Sequence, residues 1–324
     1  MELLKELSEA IAPSSMEDAV RNILVREFKK YDLEVKVDDN GNVIAYRNLS
    51  SKPILISAHM DEIGIIVKSI EEEYLRITGL GGYDPFYLLS RDVVIYGKEP
   101  IEGTIHIEYK DKYEDKIKFK DLFVQTDLSE KELKEVIFPG SVGGVKQQFR
   151  KGKYIHGKAL DDRVGVYILT ELAKDLPENV ILMGSTEEEV SHIGKGAMMA
   201  SWNIEPKLFV ALDVSDVDDY PGGKKTVNLF DGPEITVAEI RGVGNVIKRK
   251  YLEKIWEIKL PIQYRITENS ATEASNIFNI KGGIPSIAIC TPIRYIHTFN
   301  EMTRFENINQ TIELTKALLE KLIK

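Results

Sequence analysis

Five short segments, spread from residue 58 to residue 298, each carry a side chain able to ligate a transition metal. They read Ala-His-Met-Asp (58–61), Ala-Leu-Asp-Asp-Arg-Val-Gly (159–165), Glu-Glu-Glu-Val (187–190), Ala-Leu-Asp-Val (211–214) and Arg-Tyr-Ile-His-Thr (294–298). Only five histidines occur in 324 residues, and His59 and His297 are two of them. Imidazole mixed with carboxylate suits zinc, cobalt or manganese. One ion takes three or four protein ligands, whereas a pair sharing a bridging carboxylate takes about five. The supply matches a pair.

Each segment also has a plainer explanation. Side chains alternate along an extended chain, so His59 and Asp61 share a side, and Asp61 can set the position of the imidazole. Alone, the same residues also describe an ordinary turn. Asp161 offers two oxygens, one for each of two ions. Asp162 reads as a helix N-cap with Arg163 as its ion-pair partner, which accounts for one aspartate but not both. Three adjacent glutamates, 187–189, could be a solvated run. Buried, they would raise one another's pKa unless cations compensate, and one could ligate while its neighbour acts as general base. The register, 187/188 or 188/189, stays open. Asp213 closes an apolar strand; Asp216, Asp218 and Asp219 read as loop charges. His297 follows a strand, and Glu301 could pair with it or with substrate. His106, His156 and His192 are read as structural, although His156 could line the cleft and His192 could touch substrate. Cys290 sits in an apolar run with no base assigned to it, so a thiol nucleophile is set aside.

The elements that must position these groups are legible in the spacing. Helical periodicity covers 2–12 and 17–31, with Ser14 or Ser15 as the expected cap of the second helix. Two strand-like runs, 33–37 and 42–46, flank Asp-Asp-Asn-Gly, a hairpin signal. A buried strand at 53–57 then delivers His59 and Asp61. From about residue 63 the chain changes to short strands (64–69, 74–78, 92–96, 103–107), a charged stretch at 108–120 read as a solvated hairpin or loop, and a helix capped by Ser129 with Glu132 three residues on. After Tyr154, helices and strands alternate (helices near 163–173, 194–201 and from 307; strands at 179–184, 207–213 and 286–291), which predicts a mostly parallel sheet covered on both faces. In such sheets ligands bind beyond the carboxyl ends of the strands, where every candidate ligand falls. The expected division is residues 1–62 with 155–324 as one domain and 63–154 as an inserted β-rich domain.

Composition narrows the function classes. The chain has 43% hydrophobic and 29% charged residues, ordinary for a globular protein. Its net charge of −9 argues against nucleic acid as a partner, which needs a basic footprint. No run of about 18 apolar residues suggests a membrane span. A single cysteine forbids an intrachain disulfide and, with no signal-peptide pattern at the start, points to the cytoplasm. Abundant Lys and Glu with only five Gln lean toward a heat-adapted source.

Five motifs in this order resemble the tetrahedral, TET-type aminopeptidases, the glutamyl or deblocking aminopeptidase family of dinuclear metallopeptidases. Alongside the ligand segments, the resemblance rests on Ala-Pro-Ser-Ser-Met-Glu-Asp (12–18), Gly-Gly-Ile-Pro-Ser (282–286) and His-Thr-Phe-Asn-Glu (297–301). It implies an α/β fold with a phosphorylase/hydrolase-like mixed sheet and a small inserted β domain. It implies two divalent ions per subunit, zinc or cobalt before manganese, one held by His59, Asp161 and Asp213 and the other by Asp161, Glu189 and His297. Glu188 would be the general base and Asp61 would orient His59. Peptides would be the substrates, and dimers would assemble into a tetrahedral homo-oligomer of twelve subunits. The chain departs from the family in carrying Ser191 for a glycine, an extra His192-Ile193-Gly194 before Lys195, Ala271-Thr272-Glu273-Ala274 for Gly-Thr-Asp-Ala, an unusual Phe-Pro-Gly-Ser-Val-Gly-Gly (138–144) and a more basic 231–254 region.

Three rivals differ in what they require. A deacylase or carboxypeptidase would share the metal core but not the need for a free substrate amine. A glycosidase with paired carboxylates would leave both histidines without purpose and would ignore chelators. A scaffold that kept the fold would bind metal without turnover.

Overall fold

The computed structural model describes residues 1–109, 116–190, 194–224, 226–240, 244–268 and 270–323. Its main sheet has nine strands. Four run parallel at the centre, in the order Val180–Ser185, Ile54–His59, Leu208–Asp216 and Ser286–Ile293. The hairpin of Glu34–Val37 and Val43–Tyr46 adds antiparallel on one side, turning through Gly41 at φ +86. Glu234–Glu239 adds antiparallel on the other and pairs with Asn245–Val246 and Gln263–Thr267. The sheet is therefore mixed, with parallel pairing confined mainly to the interior. The central parallel strands are buried on both faces, as the βαβ crossovers of parallel strands require.

Alternation along these strands splits their side chains between two cores. Ile54, Ile56, Ala58, Val210, Leu212, Ile287 and Ile289 face the helices Glu2–Glu9, Asp18–Phe28, Leu160–Leu172 and Phe305–Ile323. Leu55, Ile181, Met183, Phe209, Ala288 and Cys290 face Lys195–Ile204 and Glu273–Ile277. Every residue of Leu160–Leu172 except Glu171 is buried, which makes it the central helix.

Between the two parts of this layer, six strands close into a barrel: Gly64–Glu71, Tyr74–Leu80, Leu122–Gln125, Pro100–Ile107, Asp92–Tyr96 and Val142–Val145. Its interior is filled by Ile65, Val67, Leu75, Ile77, Val93, Ile95, Ile105 and Val124. Ser129 caps Glu130–Val136 through a reciprocal box with Glu132. Phe299 comes from outside the barrel yet is buried in its core, packing edge-on against Tyr83 at 5.6 Å. Part of the charged stretch expected as a solvated loop, residues 110–115, lies outside the described residues.

Three local expectations are corrected. Neither Ser14 nor Ser15 caps the second helix, whose N-cap is Glu17; the Ser14 hydroxyl instead donates to Asp61 Oδ2 at 2.6 Å. Asp213 does not end its strand, which continues to Asp216 because pairing with Ser286–Ile293 persists to Ile293. Asp162 does cap, accepting the Gly165 N–H at 2.9 Å, and a Cβ on Gly165 would lie 2.2 Å from that carboxylate. Arg163, however, turns away from it.

Arg163 is fully buried and donates to the carbonyls of Met60 (3.0 Å), Leu7 (2.7 Å), Ala10 (3.1 Å) and Ala12 (3.4 Å). Beside it, buried Lys158 donates to both oxygens of Glu62 at 2.7 and 2.6 Å and to Ala10 O at 2.8 Å. Glu62 also accepts the Ala12 N–H at 2.7 Å. This network ties the chain after the first helix to the strand end that carries His59 and to the start of the central helix. Removing one member leaves buried polar groups unpaired, which costs more than the pair itself contributes. Arg163→Met should destabilise the protein by about 3–5 kcal/mol, read as a lowered denaturant midpoint; a loss under about 1 kcal/mol would show that the network contributes little.

Candidate metal centre

The parallel register brings the ligand segments together. Ser185 aligns with His59, and Ala211 aligns with Ser57, so Asp213 falls in step with His59 at the carboxyl end of the sheet. Asp161 enters at the start of the central helix, where Asp161 and Asp162 have non-helical backbone angles and a cis peptide joins them. The glutamates leave the end of Val180–Ser185, and His297 comes over from the loop after Ser286–Ile293.

Asp161 stands between the two imidazoles. Its Oδ1 lies 3.1 Å from His59 Nε2, and its Oδ2 lies 3.4 Å from His297 Nε2. Glu189 Oε2 is 3.3 Å from His297 Nε2. Two trios result, His59–Asp161–Asp213 and Asp161–Glu189–His297, each with its ligand atoms within 4.8 Å of one another. Each trio offers one imidazole nitrogen and two carboxylates, a donor set that fits zinc, cobalt or manganese and leaves coordination positions open. Glu187 turns out of the cluster to pair with Lys195. Glu188 stays inside, near His59, Asp213 and Glu189.

Groups around the trios hold them in place. Asp61 Oδ1 lies 3.3 Å from His59 Nδ1. The same carboxylate accepts the backbone N–H of Glu188 at 3.0 Å and of Glu189 at 3.1 Å, so it fixes the glutamate loop as well as the imidazole. His297 Nδ1 is 2.6 Å from the carbonyl of Gly82, in a barrel loop. A carbonyl only accepts, so Nδ1 carries the proton and Nε2 is left to face Asp161 and Glu189. Glu301 pairs with the backbone of His297 and Asp161, not with the imidazole. Spacing alone could not show these main-chain partners.

Of the remaining histidines, His156 lies edge-on to Tyr154, and His106 is exposed beside Phe123; neither joins a trio. His192 lies outside the described residues. Asp218 is occupied by the N–H groups of Lys224 and Thr226, and Asp219 by Arg294. Cys290 is buried and its thiol pKa is pushed well up by that burial and by nearby acids.

The electrostatics follow from crowding carboxylates in a dry site. Burial, reinforced by neighbouring Asp161, raises the Asp213 pKa well above the ordinary carboxylate range. Burial, with Asp213, Glu189 and Asp61 nearby, does the same to Glu188. Burial and then Asp161 push Glu189 up to about 7. His297 loses some basicity to burial, but Glu189, Asp161 and Glu301 more than reverse this and raise it to about 11. Divalent cations would invert this pattern by taking the place of the protons.

For the metal-free protein, Glu189 and His297 have folded pKa values above their unfolded ones. The stability each contributes is complete below its unfolded value and is lost as pH rises through the folded one. For Glu189 that window runs from 4.5 to about 7, and for His297 from 6.5 to about 11. The Tm of the metal-free chain should therefore fall between about pH 5 and pH 7.5, and added zinc should raise Tm more at the upper value. An equal rise at both pH values would contradict the assignment of these shifts.

Residues 41–314 match the M42 glutamyl aminopeptidase family. The lysyl aminopeptidase of Pyrococcus furiosus is 28% identical over 344 residues, covering 99% of this chain and 97% of that one. An aminopeptidase from Desulfurococcus kamchatkensis has the same fold with a TM-score of 0.91 at 29% identity, covering 98% of this chain and 94% of its own. The TET1 peptidase of Pyrococcus horikoshii, which can assemble into a tetrahedron or a large octahedral shell, gives a TM-score of 0.86 at 28% identity, with 98% of each chain covered. On the match over residues 41–314 and the fold it shares with these peptidases, the chain belongs to the M42 glutamyl aminopeptidase family and is a metal-dependent aminopeptidase.

Proposed function

We propose that two divalent cations sit side by side in the cleft, one held by His59, Asp161 and Asp213 and the other by Asp161, Glu189 and His297. The single observation that carries this reading is the placement of Asp161, whose two oxygens face the two histidines separately. Zinc or cobalt suits the mixed nitrogen and oxygen donors best, with manganese a third possibility. When bound, such a pair polarises the scissile carbonyl and lowers the pKa of a water molecule.

The chain's own groups supply the rest. Glu188 accepts the proton of the attacking water and returns it to the leaving amine, a role suited to a carboxylate whose pKa burial raises well above the ordinary carboxylate range. Asp61 keeps the glutamate loop and His59 in register while this proton moves. The substrate is a peptide with a free N-terminus, whose ammonium is favoured by the acidic cleft.

Residues 1–62 and 155–324 form the catalytic domain in this proposal, and 63–154 form an insertion that shapes the pocket and contributes to assembly. Support comes from the barrel's direct hold on His297 through Gly82. The dodecamer and shell-forming relatives support a homo-oligomer, and dimers assembling into a dodecamer are part of this proposal. Among the described residues no helix is long and apolar enough to cross a membrane; a cytoplasmic site of action and a heat-adapted source remain part of the proposal, resting on composition.

Glu188→Gln should leave the metal content unchanged while lowering turnover of an aminoacyl reporter roughly 10²–10⁴-fold. Wild-type rates in that variant would refute the assigned role. The wild-type enzyme should cleave the free-amine reporter and not its N-acyl counterpart, and chelation should abolish the cleavage; the opposite preference would indicate a deacylase.

A further inference from the structure

Glu301 is 2% exposed and sits at the start of the short strand Glu301–Thr303, where Gly157 pairs with it. Its two oxygens are used by two different ligand-bearing segments. Oε2 accepts the backbone N–H of Asp161 at 3.0 Å, and Oε1 accepts the backbone N–H of His297 at 3.1 Å. Neither N–H has a secondary-structure partner. Asp161 has non-helical angles at the head of its helix, and His297 sits in a left-handed conformation at φ +57. Buried amides need acceptors, and a non-glycine residue keeps such a conformation only where its surroundings hold it.

The loop carrying His297 is pinned at several other points. Arg294 and Met302 exchange backbone hydrogen bonds at 2.8 and 3.1 Å across its base. Phe299 is buried in the barrel core, and Gly82 holds the imidazole. These contacts set where the loop runs. The pairing of Gly157 with Glu301 brings it beside the segment carrying Asp161, and the Glu301 carboxylate then joins the backbone N–H groups of Asp161 and His297 themselves.

We infer that Glu301 is a positioning residue that locks Asp161 and His297 at a fixed separation, and so controls cation binding at the Asp161–Glu189–His297 trio more than at the other. The inference rests on the two-cation reading above. Glu301 supports two of the three ligands of that trio. In the His59–Asp161–Asp213 trio it supports only Asp161, while Asp61 lies 3.3 Å from His59, and Val214 donates its N–H to Asp213 at 2.7 Å. Groups behind metal ligands typically change affinity about 10–100-fold when altered.

Glu301→Gln keeps the volume but sets an amide NH₂ against one of the two backbone N–H donors, so one link breaks. Metal-free wild type and variant would be titrated with cobalt(II) and the bound metal per chain measured, with anomalous scattering from cobalt-loaded crystals assigning each ion to its trio. The expected result is about 10–100-fold weaker binding at Asp161–Glu189–His297 with the other trio changed less than about threefold. The retained ion serves as the internal check that the variant is folded. Two results overturn the inference: wild-type affinity at both trios, or equal weakening of both, which is what a merely structural role would give. Should wild type itself bind fewer than two ions in these trios, the two-cation reading fails first, and it takes the inference with it.

Discussion

Everything at the mouth of this sheet is arranged around one constraint: several carboxylates share a volume from which water is largely excluded. At such short separations in low dielectric they cannot all be ionised without cations. The raised pKa values of Asp213, Glu188 and Glu189 and the strongly basic His297 are two sides of that shortage of positive charge. Without the charge balance, folding against this repulsion would oppose the burial energy of the surrounding cores. The acidic cluster is therefore a cost to the fold, one that bound cations would offset.

The constraint explains why so much main chain is spent on the periphery of the site. Asp61 gathers two backbone N–H groups, a serine hydroxyl and an imidazole. Behind them, Arg163, Lys158 and Glu62 weld the first helix and the loop after it to the strand that carries His59. Charged side chains satisfying backbone groups in this way spread the cost of their lost freedom over several bonds, because each has several partners.

The barrel is bound into the same logic. It lends a carbonyl to His297 and receives Phe299 into its own core. The His297 loop is thus joined to both the barrel and the main sheet, whose strand Ser286–Ile293 it follows.

Much of this was readable in one dimension. The Asp-Asp-Asn-Gly turn marks the hairpin, an apolar run the buried strand and the Ser129–Glu132 spacing the helix cap, because those signals depend only on neighbours within a few residues. The candidate ligand types are also visible, because His, Asp and Glu recur in short segments beside apolar strands. The glutamate register was not, because Glu187 and Glu189 are alike until Lys195 and His297 take their places in space. Ser14 departs from its local reading for the same reason: a serine before a helix has a local use, and its actual partner, Asp61, is 47 residues away. Arg163 likewise looked like the partner of its neighbour Asp162, while its carbonyl acceptors lie on segments more than 100 residues earlier.

By itself, then, the order of residues determined which chemistry was available and which strands would carry it, because periodicity and side-chain type are properties of short stretches. Only the tertiary structure decided which oxygen faces which imidazole, which glutamate enters the cleft, and which carboxylate accepts from the backbone of both Asp161 and His297. Those choices depend on distances between parts of the chain that meet only after the sheet has formed and the barrel has docked against it.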